Sequence, residues 1–330
     1  MRLRYSDDSK PGITRKKSGK SWAYFDASGK RIAGDEEVDR LNRIGLPPAY
    51  TDAWFSPHAN GHIQAVGWDE KGRKQYRYHP DFRSKRDASK FDLTGEFGAA
   101  LPKLRKRVAA DLRKRAMSKD RAVAAVIRLL DIGHIRVGNE AYTKDNKSFG
   151  ATTLRKRHAR VGAATVKLKF RGKSGKERSC TLNDRSLARF VKACQDLDGQ
   201  HLFAWVDDEG TAQPVDSTDV NDYIRATTGG DFTAKHFRTW AASVTAFEAL
   251  ADATDDLSLK AMLEPVTERL GNTPTIARKS YVHPWLVDLT KRGQSAFRKR
   301  VKRPRDTRWL RSSERGLIAF LSGRAPAKAA

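Results

Sequence analysis

The pattern of apolar and polar positions changes along the chain near residue 90. Before that point, short apolar runs alternate with turn-forming Gly, Pro, Asn and Asp residues, and no helical spacing is sustained. Two of these runs, His62 to Trp68 and Lys74 to His79, flank a connection centred on Gly72, which is typical of a β-hairpin. Tyr76 and Tyr78 fall on one face of the second run. The N-terminal part is therefore predicted to be a small β-rich domain.

Beyond residue 90 the apolar positions recur at the spacing of α-helices. Leu101, Leu104 and Val108 are three or four residues apart, as one face of a helix requires. A second helix is predicted between Ser118, which can serve as its N-cap, and Gly133, which ends it. Further helices are predicted over residues 216–224, 233–251 and 257–270.

A strand-rich segment interrupts the helices over residues 151–182. Val166, Leu168 and Phe170 alternate with basic residues, and the sequence GKSG at 172–175 turns the chain into a second strand. The period of two predicts a hairpin with one buried face and one basic face.

Together these patterns predict an α+β fold in three segments. Residues 1–88 form the β-rich domain, residues 89–290 a mostly α-helical domain with a small β-hairpin sheet, and residues 291–330 a basic tail. The polar stretch at 83–90 is the predicted linker. The middle of the tail, FRKRVKRPRDTRW, is compatible with a basic helix broken at Pro304 or with a disordered arm.

The charge of the chain narrows the choice of partner. Its 330 residues include 65 Lys and Arg against 39 Asp and Glu, a formal net charge of +26. Such a surface favours a polyanion, which could be DNA, RNA or an acidic membrane surface. No apolar stretch approaches the ~20 residues of a membrane span, and no signal sequence is recognised, so we expect a cytoplasmic protein outside the membrane. Two cysteines are too few for a disulfide scaffold or a four-thiolate zinc site.

Candidate chemistry is sparse when single residues are considered. The histidines are scattered, no HExxH or GxxxxGK[ST] motif is present, and neither a metal nor a cofactor is predicted. Arg136, Lys173, Arg238 and Tyr281 stand in distinctive local sequences. Each has an ordinary explanation taken alone, because Lys and Arg make up 65 of the 330 residues.

Several longer segments, taken with their order along the chain, are more informative than the single residues. The block from Pro47 to Phe82 is followed by IRVGNEAY, FGATTLRKRHARV, KFRGKSGKE, FRTWAAS and LGNTPTIARKSYVHP. In this order the blocks resemble the type IB DNA topoisomerases, and in particular their bacterial and poxvirus branch. The resemblance extends from about residue 46 to residue 284.

The resemblance implies a catalytic site assembled from separated segments. Tyr281 matches the nucleophile that attacks a phosphodiester, and Arg136 and Arg238 match the two arginines that hold the scissile phosphate. Lys173 matches the general acid toward the leaving 5′ oxygen. Asn272 stands where the poxvirus enzymes have a histidine, so this position is expected to donate a neutral hydrogen bond.

The resemblance also implies DNA contacts outside that site. The residues concerned are Tyr76, Tyr78, Tyr142, Thr153, Arg155, Lys156 and Arg157. The alternative for Tyr76 and Tyr78 is cross-strand packing, and Tyr142 and Thr153 could be a turn tyrosine and a strand threonine that need no ligand. The alternative for the three basic residues is a solvated strand.

The implied function is relaxation of supercoiled DNA. A monomer without an obligate protein partner would close as a clamp around double-stranded DNA at the nucleoid, cleave one strand through a 3′-phosphotyrosyl intermediate, and reseal it without ATP or metal. A tyrosine recombinase is the nearest alternative, although recombinases have H-x-x-R where His236 and Arg238 are one residue closer together. A non-catalytic nucleoid DNA-binding protein is the alternative from another class.

Overall fold

The structure is a computed structural model that describes residues 3–19, 21–70, 72 and 74–323. Within these ranges the side chains of residues 84–90, 141, 142, 145 and 174 are not described. The chain divides into two compact units, Met1–Lys90 and Phe91–Ala330. In the described part of the chain, no helix is long and apolar enough to cross a membrane.

The first unit contains an antiparallel sheet and one short helix. Its elements are β1 (Ile13–Ser18), β2 (Ser21–Phe25), α1 (Asp35–Arg43), β3 (Thr51–Phe55), β4 (Ile63–Trp68) and β5 (Lys74–Tyr78). The strands follow the order β2-β1-β3-β4-β5, so the predicted hairpin of β4 and β5 forms one edge. The β-rich prediction for this part of the chain is confirmed.

A small aromatic and aliphatic core holds this sheet to its helix. Tyr24 and Phe55 are fully buried, and their rings meet edge to face with centroids 5.3 Å apart. The hydroxyl of Tyr24 donates to Oδ1 of Asn42, 2.9 Å away, so its polar end is satisfied beside the helix. Leu41 of α1 completes the core. Strand β4 is buried on both faces over Ile63 to Gly67, whereas the other strands are mostly exposed or half-buried.

The second unit is mostly helical, as predicted. The helices that contribute to it are α2 (Pro80–Asp111), α3 (Lys119–Gly133), α4 (Glu140–Asn146), α5 (Arg185–Gln195), α6 (Ser217–Thr228), α7 (Ala234–Asp252), α8 (Leu259–Leu270), α9 (Pro274–Ser280), α10 (Pro284–Leu289), α11 (Gln294–Arg300) and α12 (Ser312–Ser322). Helix α7 contacts α3, α6, α8, α10, α11 and α12 and is the centre of the unit. Its sequence is correspondingly apolar on most sides.

Two small sheets lie between these helices. Their strands are β6 (Ala159–Val161), β7 (Thr165–Arg171), β8 (Glu177–Asn183), β9 (Ala204–Val206) and β10 (Ala212–Pro214). The first three pair antiparallel in the order β6-β7-β8, and the last two form a separate pair. Val166, Leu168 and Phe170 of β7 are buried, which confirms the predicted apolar face of the hairpin.

The predicted linker at residues 83–90 is not an interruption of secondary structure. The backbone of these residues is helical and belongs to α2. The segment RSKRDASK contains neither Gly nor Pro, and charged residues such as Lys and Arg have good helix propensity. A polar composition alone therefore does not interrupt a helix.

The strand prediction also fails over residues 151–158. These residues form two single turns of 3₁₀ helix, Ala151–Thr153 and Lys156–His158, before β6 begins. The backbone N–H of Gly150 donates to Oγ1 of Thr153 at 2.9 Å, and that of Arg155 donates to Nδ1 of His158 at 3.1 Å. These local bonds compete with strand pairing for the same backbone groups.

The segment after residue 291 is partly packed into the unit. Helices α11 and α12 account for its described regular structure, and Phe297 and Leu317 belong to the buried core. The rings of Phe247, Phe297 and Phe320 meet one another with centroids 5.3 to 6.2 Å apart. Of the two interpretations of the basic stretch, the helical one applies to its first part, where α11 ends at Arg300 before Pro304.

A buried ion network joins three of the helices. The guanidinium of Arg105 in α2 binds Asp131 in α3 and Glu314 in α12, each through two hydrogen bonds of 2.8 or 2.9 Å. Nε1 of Trp240 in α7 donates to Glu314 at 3.0 Å. Burial favours a neutral Glu314, but the hydrogen bonds and charge of Arg105 outweigh it and hold the pKa of Glu314 below its usual value.

We predict that Glu314→Ala will lower the free energy of unfolding by about 3 kcal/mol, because it leaves buried donors of Arg105 and Trp240 without an acceptor. Urea unfolding followed by circular dichroism measures this change. The matched control is Asp288→Ala, which removes an exposed pair with Lys291 and should cost less than about 1 kcal/mol.

The same network sets an expected pH dependence. The pKa of Glu314 is lower in the folded state than in the unfolded state. Its contribution to the free energy of unfolding is therefore complete above the unfolded-state pKa, and it is lost as the pH falls through the folded-state pKa. Glu314→Gln should flatten that acid limb. Equal losses for Glu314→Ala and Asp288→Ala would contradict the assignment.

Candidate active site

The five residues implied for catalysis belong to five separate segments of the second unit. Arg136 follows the end of α3, Lys173 begins a 3₁₀ turn between β7 and β8, Arg238 lies in α7, Asn272 follows the end of α8, and Tyr281 is the C-cap of α9. The structure brings their charged and polar groups into one electrostatic neighbourhood, since Arg238, Arg136 and Lys173 all act on the Tyr281 phenol.

The buried guanidinium of Arg238 is bound to the ends of two helices. Its Nη1 donates to the carbonyl of His134, which is the C-cap of α3, and its Nη2 donates to the carbonyl of Leu270, the last residue of α8, at 3.2 Å. Arg238 is only 3% exposed. Helix C-termini leave carbonyls without intrahelical partners, so a cation is favourable there. Helix α3 ends at Gly133, as predicted, and the C-cap His134 takes the left-handed conformation with a φ of +51°.

The short connection between α8 and α9 determines the position of Asn272. Gly271 ends α8 with a φ of +63°, and Thr273 is already the N-cap of α9, with Pro274 at its first turn. Asn272 is the single residue between the two caps. Its position is therefore fixed by local chemistry that the sequence GNTP encodes.

Arg136 orients the side-chain amide of Asn272. Nη2 of Arg136 donates to Oδ1 of Asn272 at 2.7 Å. The amide nitrogen of Asn272 is buried and has no hydrogen-bond partner among the described residues, and the same holds for Nε of Arg238. These two neighbouring donors are suited to an anionic ligand, whose oxygens accept hydrogen bonds.

Neighbouring cations hold the pKa of the half-buried Tyr281 phenol below its usual value. Burial raises its pKa, but the charge and hydrogen bond of Arg238, followed by the charges of Arg136 and Lys173, lower it below the usual value. The guanidinium carbon of Arg238 lies 4.9 Å from the ring centroid. In contrast, burial and Asp111 raise the pKa of Tyr223. Burial itself lowers the pKa of Arg238 to about 10, with Arg136 adding to the effect, so this guanidinium stays charged at neutral pH.

Lys173 is exposed in the turn that connects β7 and β8. Gly175 in this turn has a φ of +74°, which a residue with a side chain rarely adopts. The turn therefore presents the lysine ammonium at the surface, and its charge still reaches Tyr281.

One residue near the site was missed in the sequence. Arg178 in β8 lies on the same face of its strand as Cys180 and Leu182, which is the inward face. Its charge acts on Arg238, and that of Arg136 acts on it. The sequence did contain a signal for this residue, because an arginine at an inward-facing position of an alternating strand is unusual and indicates a specific role.

The predicted DNA-contact tyrosines of the hairpin are placed in the first unit. The rings of Tyr76 and Tyr78 stack with centroids 5.9 Å apart, and Tyr76 is 39% exposed. Both the contact and the packing interpretations are compatible with this geometry.

The remaining predicted contacts differ in their exposure and partners. Thr153 is 2% exposed, lies in a 3₁₀ turn rather than a strand, and is bonded to Gly150. Tyr142 lies in α4, and its side chain is outside the described part of the chain.

The three basic residues after Thr153 already interact with protein groups. Arg155 binds Glu140 and His201, Lys156 donates to the carbonyl of Leu197, and Arg157 lies over the ring of Phe149. A contact with phosphate would add to these bonds or replace them.

In the described residues, no group of three or more His, Cys, Asp or Glu side chains is arranged to hold a metal ion. The site residues themselves are three cations, an amide and a phenol, which suit an anionic ligand.

Comparison with known proteins identifies the family. Residues 79–282, more than half of the chain, match the family described as the catalytic core of eukaryotic DNA topoisomerase I. Residues 21–69 match the N-terminal domain of bacterial DNA topoisomerase IB. The chain therefore belongs to the type IB DNA topoisomerase family, as its motifs predicted.

Individual relatives agree with the family assignment. DNA topoisomerase 1B of Acanthamoeba polyphaga mimivirus is 30% identical over 300 residues, covering 87% of this chain and 89% of the relative. DNA topoisomerase 1 of Mycosarcoma maydis is 26% identical over 234 residues, covering 64% of this chain and 23% of the fungal protein. DNA topoisomerase 1B of Vaccinia virus (strain Copenhagen) is 20% identical over 229 residues, covering 68% of this chain and 72% of the viral protein.

The recombinase alternative is set aside because both matched segments are topoisomerase segments.

We predict that Arg238→Gln will raise the pKa of the Tyr281 phenol above ~10, because burial is then no longer offset by the adjacent cation. The measurement is a tyrosinate absorbance titration, taken as the difference between each protein and its Tyr281→Phe counterpart. Arg160→Gln, at an exposed position of β6, is the matched control and should leave the titration unchanged. An unchanged midpoint in Arg238→Gln would show that this guanidinium does not control the phenol.

Proposed function

We propose that this chain relaxes supercoiled duplex DNA by cleaving one strand through Tyr281 and resealing it, without ATP or a metal ion. The observation that carries the proposal is the Tyr281 phenol beside Arg238, in a site where buried donors of Arg238 and Asn272 have no acceptor among the described residues. A phosphodiester supplies both the electrophile for the phenol and acceptors for those donors.

In the cleavage step, the phenol oxygen of Tyr281 attacks phosphorus as its proton passes to solvent water. A bond forms between that oxygen and phosphorus while the bond to the 5′ oxygen breaks, leaving a 3′-phosphotyrosine and a free 5′-hydroxyl end. The lowered pKa of Tyr281 favours loss of the proton. Religation is the reverse of this step, so the linkage conserves the energy of the phosphodiester and no ATP is needed.

Arg136 and Arg238 stabilise the charge that gathers on the nonbridging oxygens. Arginine is always charged near neutral pH and presents planar, paired donors that match phosphate. Because Arg136 occupies Oδ1 of Asn272, the amide can present only its N–H groups to the phosphate. Arg238 is bonded to two helix ends and Arg136 to Asn272 without DNA, and such preorganisation makes electrostatic stabilisation effective.

Lys173 is proposed to protonate the leaving 5′ oxygen. An alkoxide is a poor leaving group without a proton, and an ammonium group positioned beside the leaving oxygen can donate one. Its exposed turn is compatible with reaching DNA from outside the site.

The DNA contacts and the state of assembly complete the proposal. Tyr76, Tyr78, Tyr142 and Thr153 are proposed to lie against the DNA, and Arg155 to Arg157 to bind backbone phosphates. A net charge of +26 favours such contacts through counterion release. We propose that the protein acts as a monomer at the nucleoid and needs no protein partner.

We predict that the protein will relax a plain supercoiled plasmid in EDTA without ATP, and that Tyr281→Phe will bind DNA normally without relaxing it, because only the nucleophilic oxygen is lost. Gel assays of relaxation and denaturant-trapped protein–DNA adducts measure both. Tyr223→Phe removes another buried phenol of the second unit and should still form the adduct. An adduct that maps to another tyrosine would overturn the assignment of Tyr281.

We predict that Lys173→Ala will cleave ordinary DNA very slowly but will cleave a strand with sulfur at the leaving 5′ position at close to the wild-type rate. A thiolate leaves without a proton because its conjugate acid has a far lower pKa than an alcohol. Single-turnover cleavage of the two substrates gives the ratio. Arg136→Ala is the comparison variant and should recover much less. Equal slowness of Lys173→Ala on both substrates would leave Lys173 as a positioning residue only.

A further inference from the structure

Arg178 passes between the two glycines that precede Lys173 and Asn272. A Cβ built on Gly172 would lie 3.1 Å from Cγ of Arg178, and one built on Gly271 would lie 2.8 Å from its Cζ. Any side chain at residue 271 would thus collide with the guanidinium. The absence of side chains at these two positions leaves the space through which Arg178 enters the site.

The guanidinium of Arg178 faces other cations rather than a counter-ion. Within the part of the chain that the structure describes, no carboxylate lies within salt-bridge distance of Arg136, Arg178 or Arg238. Elsewhere in this unit the buried guanidinium of Arg105 binds two carboxylates. Burial lowers the pKa of Arg178, and the charge of Arg136 lowers it further. Three neighbouring guanidiniums without a carboxylate form a site of concentrated positive charge, which favours binding of an anion from outside the chain.

The amide of Asn272 makes this additional charge useful. An amide donates a hydrogen bond but carries no positive charge, whereas the transition state of phosphodiester cleavage gathers negative charge on its nonbridging oxygens. The guanidinium of Arg178 packs on Gly271, the residue directly before Asn272. The two side chains therefore approach the same part of the site from adjacent positions.

We propose that Arg178 is a third arginine of the active site, which binds a nonbridging oxygen of the scissile phosphate and supplies the positive charge that Asn272 lacks. This inference rests on the proposed function of the same site. It assigns to Arg178 a direct contact with the reacting group, beyond a role in packing the hairpin.

The test uses Arg178→Gln in the full chain, because glutamine keeps a polar stem between the two glycines and removes the charge. We expect single-turnover cleavage to slow by roughly 10²- to 10³-fold, the range for losing one transition-state donor. Arg178→Lys should recover part of this loss, because it keeps the charge without the paired donors. Arg189→Gln, at an exposed position of α5, is the matched control and should cleave at the wild-type rate.

A neutral substrate separates charge stabilisation from packing. In a methylphosphonate at the scissile position, one nonbridging oxygen is replaced by an uncharged methyl group, so less charge needs to be stabilised. For one of the two stereoisomers, Arg178→Gln should cleave within about tenfold of the wild-type rate, since only the charge contact has been lost. A packing defect would slow cleavage of the charged and neutral substrates equally.

A second background tests the link to Asn272. Asn272→His introduces a ring that can carry a positive charge, so the slowing caused by Arg178→Gln should be smaller in this background than in the wild type. A wild-type cleavage rate for Arg178→Gln, or an equal loss on both substrates and in both backgrounds, would overturn the proposal. Either result leaves the function of Tyr281 intact as long as the wild type forms its covalent adduct, whereas failure of that adduct would overturn the proposed function itself.

Discussion

The bond of one buried guanidinium to two helix ends is the constraint on which the site depends. Arg238 binds the last carbonyls of α3 and α8, and the loops that leave these helices carry Arg136 and Asn272. Because the helices are rigid and their ends are tied to the same side chain, the two loops are brought together. The hydrogen bond between Arg136 and Asn272 then becomes possible. Arg238 belongs to α7, and α7 packs against most of the other helices of the unit. The position of Arg238 therefore depends on the packing of the whole unit.

The site is unfavourable in isolation, and this is informative about its ligand. Its guanidiniums repel one another, and it contains buried donors without described acceptors, whereas the buried guanidinium of Arg105 is paired with the carboxylates of Asp131 and Glu314. A chain selected only for stability would place carboxylates beside such arginines. The contrast between the two clusters indicates that one is built for folding and the other for an anion.

Much of the architecture could be predicted from periodicity, and the site could not. The turn residues around Gly72 predicted the hairpin of β4 and β5, alternation of apolar and basic residues predicted β7, and helical patterns predicted α3, α7 and α8. The helical state of residues 83–90 was missed, because polarity does not distinguish a linker from an exposed helix. Residues 151–158 were missed, because the hydrogen bonds that the side chains of Thr153 and His158 accept from the backbone three residues earlier leave no periodic pattern in the sequence. The convergence of Arg136, Arg238 and Tyr281 depends on tertiary packing, so only the resemblance to a family indicated it. Arg178 carried a local signal that was not used.

Glu314 is synthesised after every residue of the site, although it binds the central helix that carries Arg238. Its carboxylate accepts a hydrogen bond from Trp240, two residues beyond Arg238 on the central helix, and binds Arg105 at the same time. In chain order Glu314 follows all five residues of the site. A nascent chain on the ribosome therefore contains the complete set of reactive groups before its central helix has this buried acceptor. The acceptor that binds Trp240 and Arg105 thus comes from a later segment of the chain than any residue of the site, so a chain that stops between Tyr281 and Glu314 lacks this support of the central helix.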